Sequence, residues 1–486
     1  MSKFNAKQVN DNKTTTYEGG EAYVKNLENE WANFLFSCIL QDRFYESSSK
    51  QQDRYVELTN AMIAKHGADF VGKAAVFARN ELGMRSISEL TAAMLNGHQF
   101  EGKRNFYKKY FHRPDGVAEV FGAVDMLGGK RSHALVRGAC DYLSGLDAYQ
   151  VGKYKMSGKT YNMYDLINIT HANSPAIDAY KNDALETPDT WETKISGAGS
   201  QEEKEEEWKR LVEERKLGYM ALIRNLRNIL SCDFVDSQWA KKHLIPQIVN
   251  ETAIKKSLIF PYRIYTAWKM IANTLPIEIE MALSDAFIIS IGNMPKFDGS
   301  SLVVLDVSGS MNDTMSQHSG MTIKEVGAVY AAAIYLSGND VHFVKFGNYV
   351  KWRSYNKYTN VFKLIAAMQE NEGCGYGTDI VPVFESIEKH YDRMFLISDM
   401  QVMNDNSNWA WYSRSKSASD AFKEYKRKYG STHIYSFDLG NYHSQIVNTG
   451  SNDISYITAL NDTVFKILEF EENGKSLVDV IKDYKY

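Results

Sequence analysis

Cysteine is scarce in this chain. Four occur in 486 residues, Cys38, Cys140, Cys232 and Cys374, and no two form a CxxC pair. That spacing excludes a disulfide framework and argues against a structural zinc site, and it suits a reducing compartment. Long apolar runs are missing as well. No stretch approaches the roughly 18–20 residues that a membrane-spanning helix requires. The opening Met1–Asn10 carries lysines without an apolar core, so no secretory signal is read there. A strong charge of either sign is also absent: 56 Lys+Arg stand against 60 Asp+Glu, a net −4. A global field of the histone kind is excluded, and any nucleic-acid site must be a local patch. No P-loop is present, because Gly375-Tyr-Gly377-Thr378 lacks the lysine that motif needs. With no nucleophile–base pair in a motif either, the chain reads as a binder and not an enzyme, and its expected home is the cytoplasm.

What is present is an average globular composition, 44% apolar and 24% charged, long enough for two to four domains. Up to about residue 290 the helical period dominates. In Asp69–Leu82 the residues Phe70, Val71, Ala74, Ala75, Phe77, Ala78 and Leu82 recur at offsets of three, four and seven. Glu21–Leu40, Asp53–Lys65, Ser88–Leu95, Val117–Leu127, Ala134–Leu143 and Leu217–Leu230 read the same way, separated by short breakers such as His66-Gly67 and Gly128-Gly129. Many short helices joined by tight turns predict stacked helix pairs, an α-solenoid without a fixed repeat. From about Asp298 the pattern becomes strand–helix alternation, opening with the apolar run Ser301–Val307 that a buried parallel strand shows. A helical domain over 1–292 and a doubly wound α/β domain over 293–486 are expected.

The sharpest chemical signal is Asp306-Val-Ser308-Gly-Ser310, at the end of that first buried strand. Ligands in open α/β sheets gather beyond the carboxyl ends of strands. A carboxylate and two hydroxyls there are hard oxygen donors, suited to Mg²⁺ or Mn²⁺. Thr378 follows a glycine-rich loop, and Asp399 closes the strand Arg393–Ile397 with Ser398. Read without an ion, the hydroxyls cap a helix and Asp306 takes backbone donors. Together Asp306, Ser308, Ser310, Thr378 and Asp399 resemble, in order, the metal-ion-dependent adhesion site of von Willebrand factor A domains. The resemblance implies a Rossmann-like A domain whose metal, Mg²⁺ or another divalent cation such as Mn²⁺, completes its shell with an acidic residue of a protein partner.

Residues 101–171 are locally basic, 11 Lys+Arg against 7 Asp+Glu. Lys103–Arg113 interleaves cations with aromatics, which provides either phosphate contacts and stacking platforms or simply an amphipathic helix with a wet and a core face. Further along, Arg85-Ser-Ile-Ser-Glu-Leu, Phe121-Gly-Ala-Val-Asp125, Ala134-Leu-Val-Arg137, Lys153-Tyr-Lys155, Tyr164–Pro175, Met220–Leu226 and Phe260-Pro-Tyr-Arg263 resemble the module shared by telomerase-associated, Ro and vault-associated proteins, the TROVE module. A TROVE module followed by an A domain is the arrangement of the Ro ribonucleoprotein autoantigen family. The resemblance implies a ring of HEAT-like helical repeats, closed by the A domain and formed within one monomeric chain. It also implies partners: small non-coding Y RNAs on the outer surface, and single-stranded 3′ ends of misfolded RNAs. Lys153 and His171 match positions of Y RNA contact, with Lys155 or Lys159 as a third. Arg137 and Arg263 are further candidates for phosphate contact. His171 reads equally as a helix C-terminal residue favoured by the dipole, and Arg137 and Arg224 as ion-paired spacers between helices. The expected function is an RNA-binding protein of small-RNA quality control or decay. The alternative is a metal-dependent protein-interaction scaffold acting through the A domain.

Overall fold

A computed structural model of the chain describes residues 13–17, 19–38, 40, 42, 46–154, 156, 158–185, 190–272, 276–315, 320–402, 416–442, 444–448, 453–458 and 463–486. It divides into two compact units: Met1–Asn33, Gln41–Gln51 and Met294–Ile467 form one, and Phe34–Leu40, Gln52–Asn293 and Leu468–Tyr486 the other. The main change of unit falls between Asn293 and Met294. The two chain ends exchange sides, however, so the expected division into 1–292 and 293–486 does not hold at either terminus.

Helices pack mainly on their next neighbour but one in the second unit. Ala68–Asn80 contacts Lys103–Tyr110, Ser86–Met94 contacts Pro114–Met126, Lys103–Tyr110 contacts His133–Leu143, and His133–Leu143 contacts Met163–Thr170. Each presents an apolar stripe of the expected spacing. In His133–Leu143 the buried residues are Leu135, Gly138, Ala139 and Leu143, and Ser132 caps the start by accepting the Leu135 N–H. Gly138 is the closest approach: a Cβ there would meet Tyr107 Cβ at 2.5 Å and the Arg104 carbonyl at 2.7 Å. The C-terminal helix Leu477–Asp483 packs on Ala68–Asn80. Just beyond it, Tyr484 stacks edge-on against Phe77 and donates to Glu81.

Among the described residues the first unit contains nine strands: β1 (Lys13–Thr15), β2 (Glu21–Val24), β3 (Ser301–Asp306), β4 (Val341–Phe346), β5 (Val350–Arg353), β6 (Arg393–Ser398), β7 (His433–Asp438), β8 (Ser444–Gln445) and β9 (Ile454–Thr458). Six form a mixed sheet in the order β5-β4-β3-β6-β7-β9, parallel except for the edge pair β4–β5. All six residues of β3 are buried, as a central strand covered on both faces must be. Helix Ile323–Ser337 lies against β3, β4 and β6. Gly327 permits this closeness, since a Cβ there would come within 3.1 Å of Leu305, Ile397 and Leu439. A small antiparallel sheet, β1-β2-β8, brings the N-terminal segment onto this unit.

The sequence pattern predicts helices over Glu21–Leu40, Leu217–Leu230 and Ile380–His390, and all three differ from what the chain does. Glu21–Leu40 is not one helix: Glu21–Val24 is β2, and the helix begins at Leu27. Tyr23 and Val24 favour a pleated edge, and β8 supplies a pairing partner more than 400 residues away that no local periodicity reveals. Leu217–Leu230 breaks at Asn225, whose side-chain amide donates to the Ala221 carbonyl and competes with the helical ladder. Ile380–His390 is helical only over Val381–Ser386, because Ile387 turns extended to bury its side chain.

Candidate functional site

The order β4-β3-β6 places a reversal of chain direction across the sheet between β3 and β6, so their carboxyl ends open a crevice there. Asp306 ends β3 and Asp399 follows β6, and both are essentially fully buried. Ser308 N–H donates to Asp306 Oδ1 at 2.8 Å, and Ser398 Oγ donates to Oδ2 at 2.7 Å. Ser308 and Ser310 hold their hydroxyl oxygens 3.5 Å apart. Ser310 also reaches Asp399, which accepts the Gln401 N–H at 3.2 Å. Thr378 is buried on a loop tied to the same place: Gly309 N–H donates to the Tyr376 carbonyl at 2.8 Å, and Asn371 bridges the Val307 and Gly375 carbonyls. The five side chains singled out in the sequence thus lie on three loops that are hydrogen-bonded together or share contacts.

Electrostatically the cluster is under-compensated. Burial raises the Asp306 carboxyl above its ordinary range, and hydrogen bonds from Ser308 and Ser398 offset only part of this. Asp399 is raised further, by burial first and then by Asp306 itself. A third carboxylate, Asp438 at the end of β7, is neutralised instead by a side chain that sequence reasoning missed. Lys25 Nζ donates to Asp438 Oδ2 and to the Tyr442 carbonyl, each at 2.6 Å, with lysine and aspartate both about 5% exposed. Among the described residues no group of three or more His, Cys, Asp and Glu side chains is arranged for a metal. An ion at Asp306 and Asp399 therefore depends on the hydroxyls of Ser308, Ser310 and Thr378. Two buried carboxylates that repel one another beside the Ser308 and Ser310 hydroxyls, with Thr378 buried on the adjoining loop, fit a hard divalent cation such as Mg²⁺.

In the helical unit the interleaved segment Lys103–Tyr110 resolves as an amphipathic helix. Phe106, Tyr107 and Tyr110 are buried. Lys103 is spent on the Asn96 and His98 carbonyls, and Arg104 on Asp141. Its rings are core and offer no stacking platform. Arg137 and His171, by contrast, come together. His171 ends helix Met163–Thr170 in the left-handed conformation (φ 56°). It lines a cavity of about 430 Å³ with His133, Arg137 and Thr170. Arg137 is exposed, and its charge helps to lower the Asp141 carboxyl one turn further along the same helix. Lys153 is half-buried, 3.3 Å from the Tyr149 hydroxyl and 3.5 Å from Glu192. Lys159 is exposed, Lys155 lies outside the described residues, and Arg263 sits with Arg224 on a different hollow.

The TROVE domain profile matches residues 165–291. The chain thus carries a TROVE-type segment. His171, Arg224 and Arg263 fall within the TROVE domain, whereas Arg137, Lys153 and Lys159 precede it. Among solved structures the chain is similar to the crystal structure of the Deinococcus radiodurans Ro (RSR) protein. The TM-score is 0.65 at 15% identity, covering 92% of this chain and 100% of that one. The fold is that of Ro, a helix-rich region followed by a mixed, largely parallel sheet. No curated protein matches in sequence. No helix among the described residues is long and apolar enough to cross a membrane.

Proposed function

We propose that this protein is an RNA-binding protein of the Ro type. It forms a ribonucleoprotein with a small non-coding Y-type RNA and takes the single-stranded 3′ ends of misfolded small RNAs, in RNA quality control or decay. The observation that carries this reading is the pairing of a TROVE domain with the Ro fold over 92% of the chain. The cavity that gathers Arg137, His133 and His171 supports it, because an exposed guanidinium beside two imidazoles is a phosphate-binding chemistry. Lys153 and Lys159 extend the same basic stretch.

Binding of a duplex with a single-stranded 3′ tail, followed by fluorescence anisotropy across a salt series, tests this. Affinity falls steeply with salt, and Arg137→Ala reduces the slope by about one unit. A slope unaltered by Arg137→Ala removes that residue from the interface.

The sheet unit is, on this proposal, an A-type domain in which Asp306, Ser308, Ser310, Thr378 and Asp399 hold Mg²⁺ or Mn²⁺ and leave a position for an acidic group of a protein partner. Tyr349 and Tyr376, on the loops around Thr378, are 66% and 78% exposed. That favours a second reading, a metal-dependent scaffold with RNA incidental. Asp306→Ala separates the two: the scaffold loses partner capture with RNA affinity intact.

A further inference from the structure

One hollow of the helical unit, about 400 Å³, has a composition that packing does not require. Trp191, Met220 and Met270 line it, and the two methionines are 40% and 63% exposed. Apolar side chains left that open around a concavity mark a ligand groove more often than a defect. Its rim is charged: Arg224 ends helix Tyr219–Arg224, Arg263 lies in the first turn of Pro261–Lys269, and Glu192 in the first turn of Trp191–Gly197. Arg224 is exposed and has no ion pair among the described residues. Glu192 faces Lys153 at 3.5 Å, long for a charge-assisted bond.

We propose that this hollow seats one unpaired guanine of a bound RNA strand. The inference rests on the RNA-binding reading above and names a subsite within it. A flat heteroaromatic ring suits an indole- and thioether-lined hollow, since every base has a π face that stacks. Phosphates on either side of a splayed base need cations, which Arg224 and Arg263 supply. The carboxylate then decides which base is kept. Guanine presents N1–H and N2–H as parallel donors on its Watson–Crick edge, and a carboxylate is an acceptor pair and nothing else. Adenine, cytosine and uracil each turn at least one acceptor toward it, and repulsion between lone pairs rejects them. Guanine also displaces Lys153 from Glu192, and the freed ammonium becomes available to a neighbouring phosphate.

The test uses the full-length protein and two fluorescein-labelled nine-nucleotide RNAs, all uridine or uridine with one central guanosine. The guanosine strand binds about tenfold tighter, the discrimination expected of one bidentate pair. Replacing guanosine by inosine, which lacks the N2 amine, loses most of that advantage without touching the protein. Glu192→Gln, which swaps one acceptor for a donor on an exposed helix, brings the ratio of the two affinities toward one. Equal binding of the three strands overturns the guanine subsite while leaving RNA binding in place, as does an unchanged ratio in Glu192→Gln. Failure of every strand to bind overturns the RNA-binding reading as well.

Discussion

Lys25 and Asp438 form a buried ion pair within the sheet unit, each side chain only about 5% exposed. Removing one partner strands the other, which costs about 3–5 kcal/mol. Lys25→Met therefore lowers the urea midpoint of this unit sharply, and the double variant Lys25→Met/Asp438→Leu recovers much of the loss. A single variant as stable as the parent contradicts the pairing. Glu89 carries a different signature. Burial pushes its carboxyl up from 4.5 to about 6, against the pull of Arg79 at 3.3 Å. Between those values the folded chain holds more protons at Glu89 than the unfolded chain does. The residue's contribution is therefore full below pH 4.5 and is lost as pH rises through 6, about 2 kcal/mol in all. The stability of the parent relative to Glu89→Gln should fall across pH 4.5–6.5, and a flat difference would disprove the shift. Asp306, Ser308 and Ser310 were readable because three donors stand in five consecutive residues at a strand end. Lys25 was not, since 413 positions separate it from its partner.

Among elements, β3 is legible from its unbroken apolar run, and helices such as Ala68–Asn80 from their stripes. Strands of two to four residues at the N-terminus and at Ser444–Gln445 carry no such period; only tertiary pairing makes them strands. The cation–aromatic run at Lys103–Tyr110 shows the reverse failure, a pattern compatible with nucleic-acid stacking that the fold uses as core. That helix packs against His133–Leu143 at Gly138 with no room for a methyl group. Gly138→Ala is expected to cost about 1–3 kcal/mol through forced separation of the two helices, despite alanine's better helix propensity. A thermal midpoint equal to or above the parent's would show that the contact yields freely.

On the scale of the whole chain, each unit is completed by a segment from the far end of the sequence. The sheet unit takes residues up to Asn33, where Asn33 donates to the Tyr456 carbonyl at 2.7 Å and accepts the Thr458 N–H at 2.9 Å on β9. Removing residues 1–25 should destabilise the sheet unit through the loss of β2 and Lys25, read as a lower-melting transition in calorimetry. A single unchanged transition would contradict that dependence. The function itself is tested most directly by purifying the protein without nuclease, recording the 260/280 nm absorbance ratio and sequencing whatever RNA travels with it. A discrete small structured RNA is the predicted result. A nucleic-acid-free protein with no affinity for a 3′-tailed duplex at low salt contradicts the RNA-binding account.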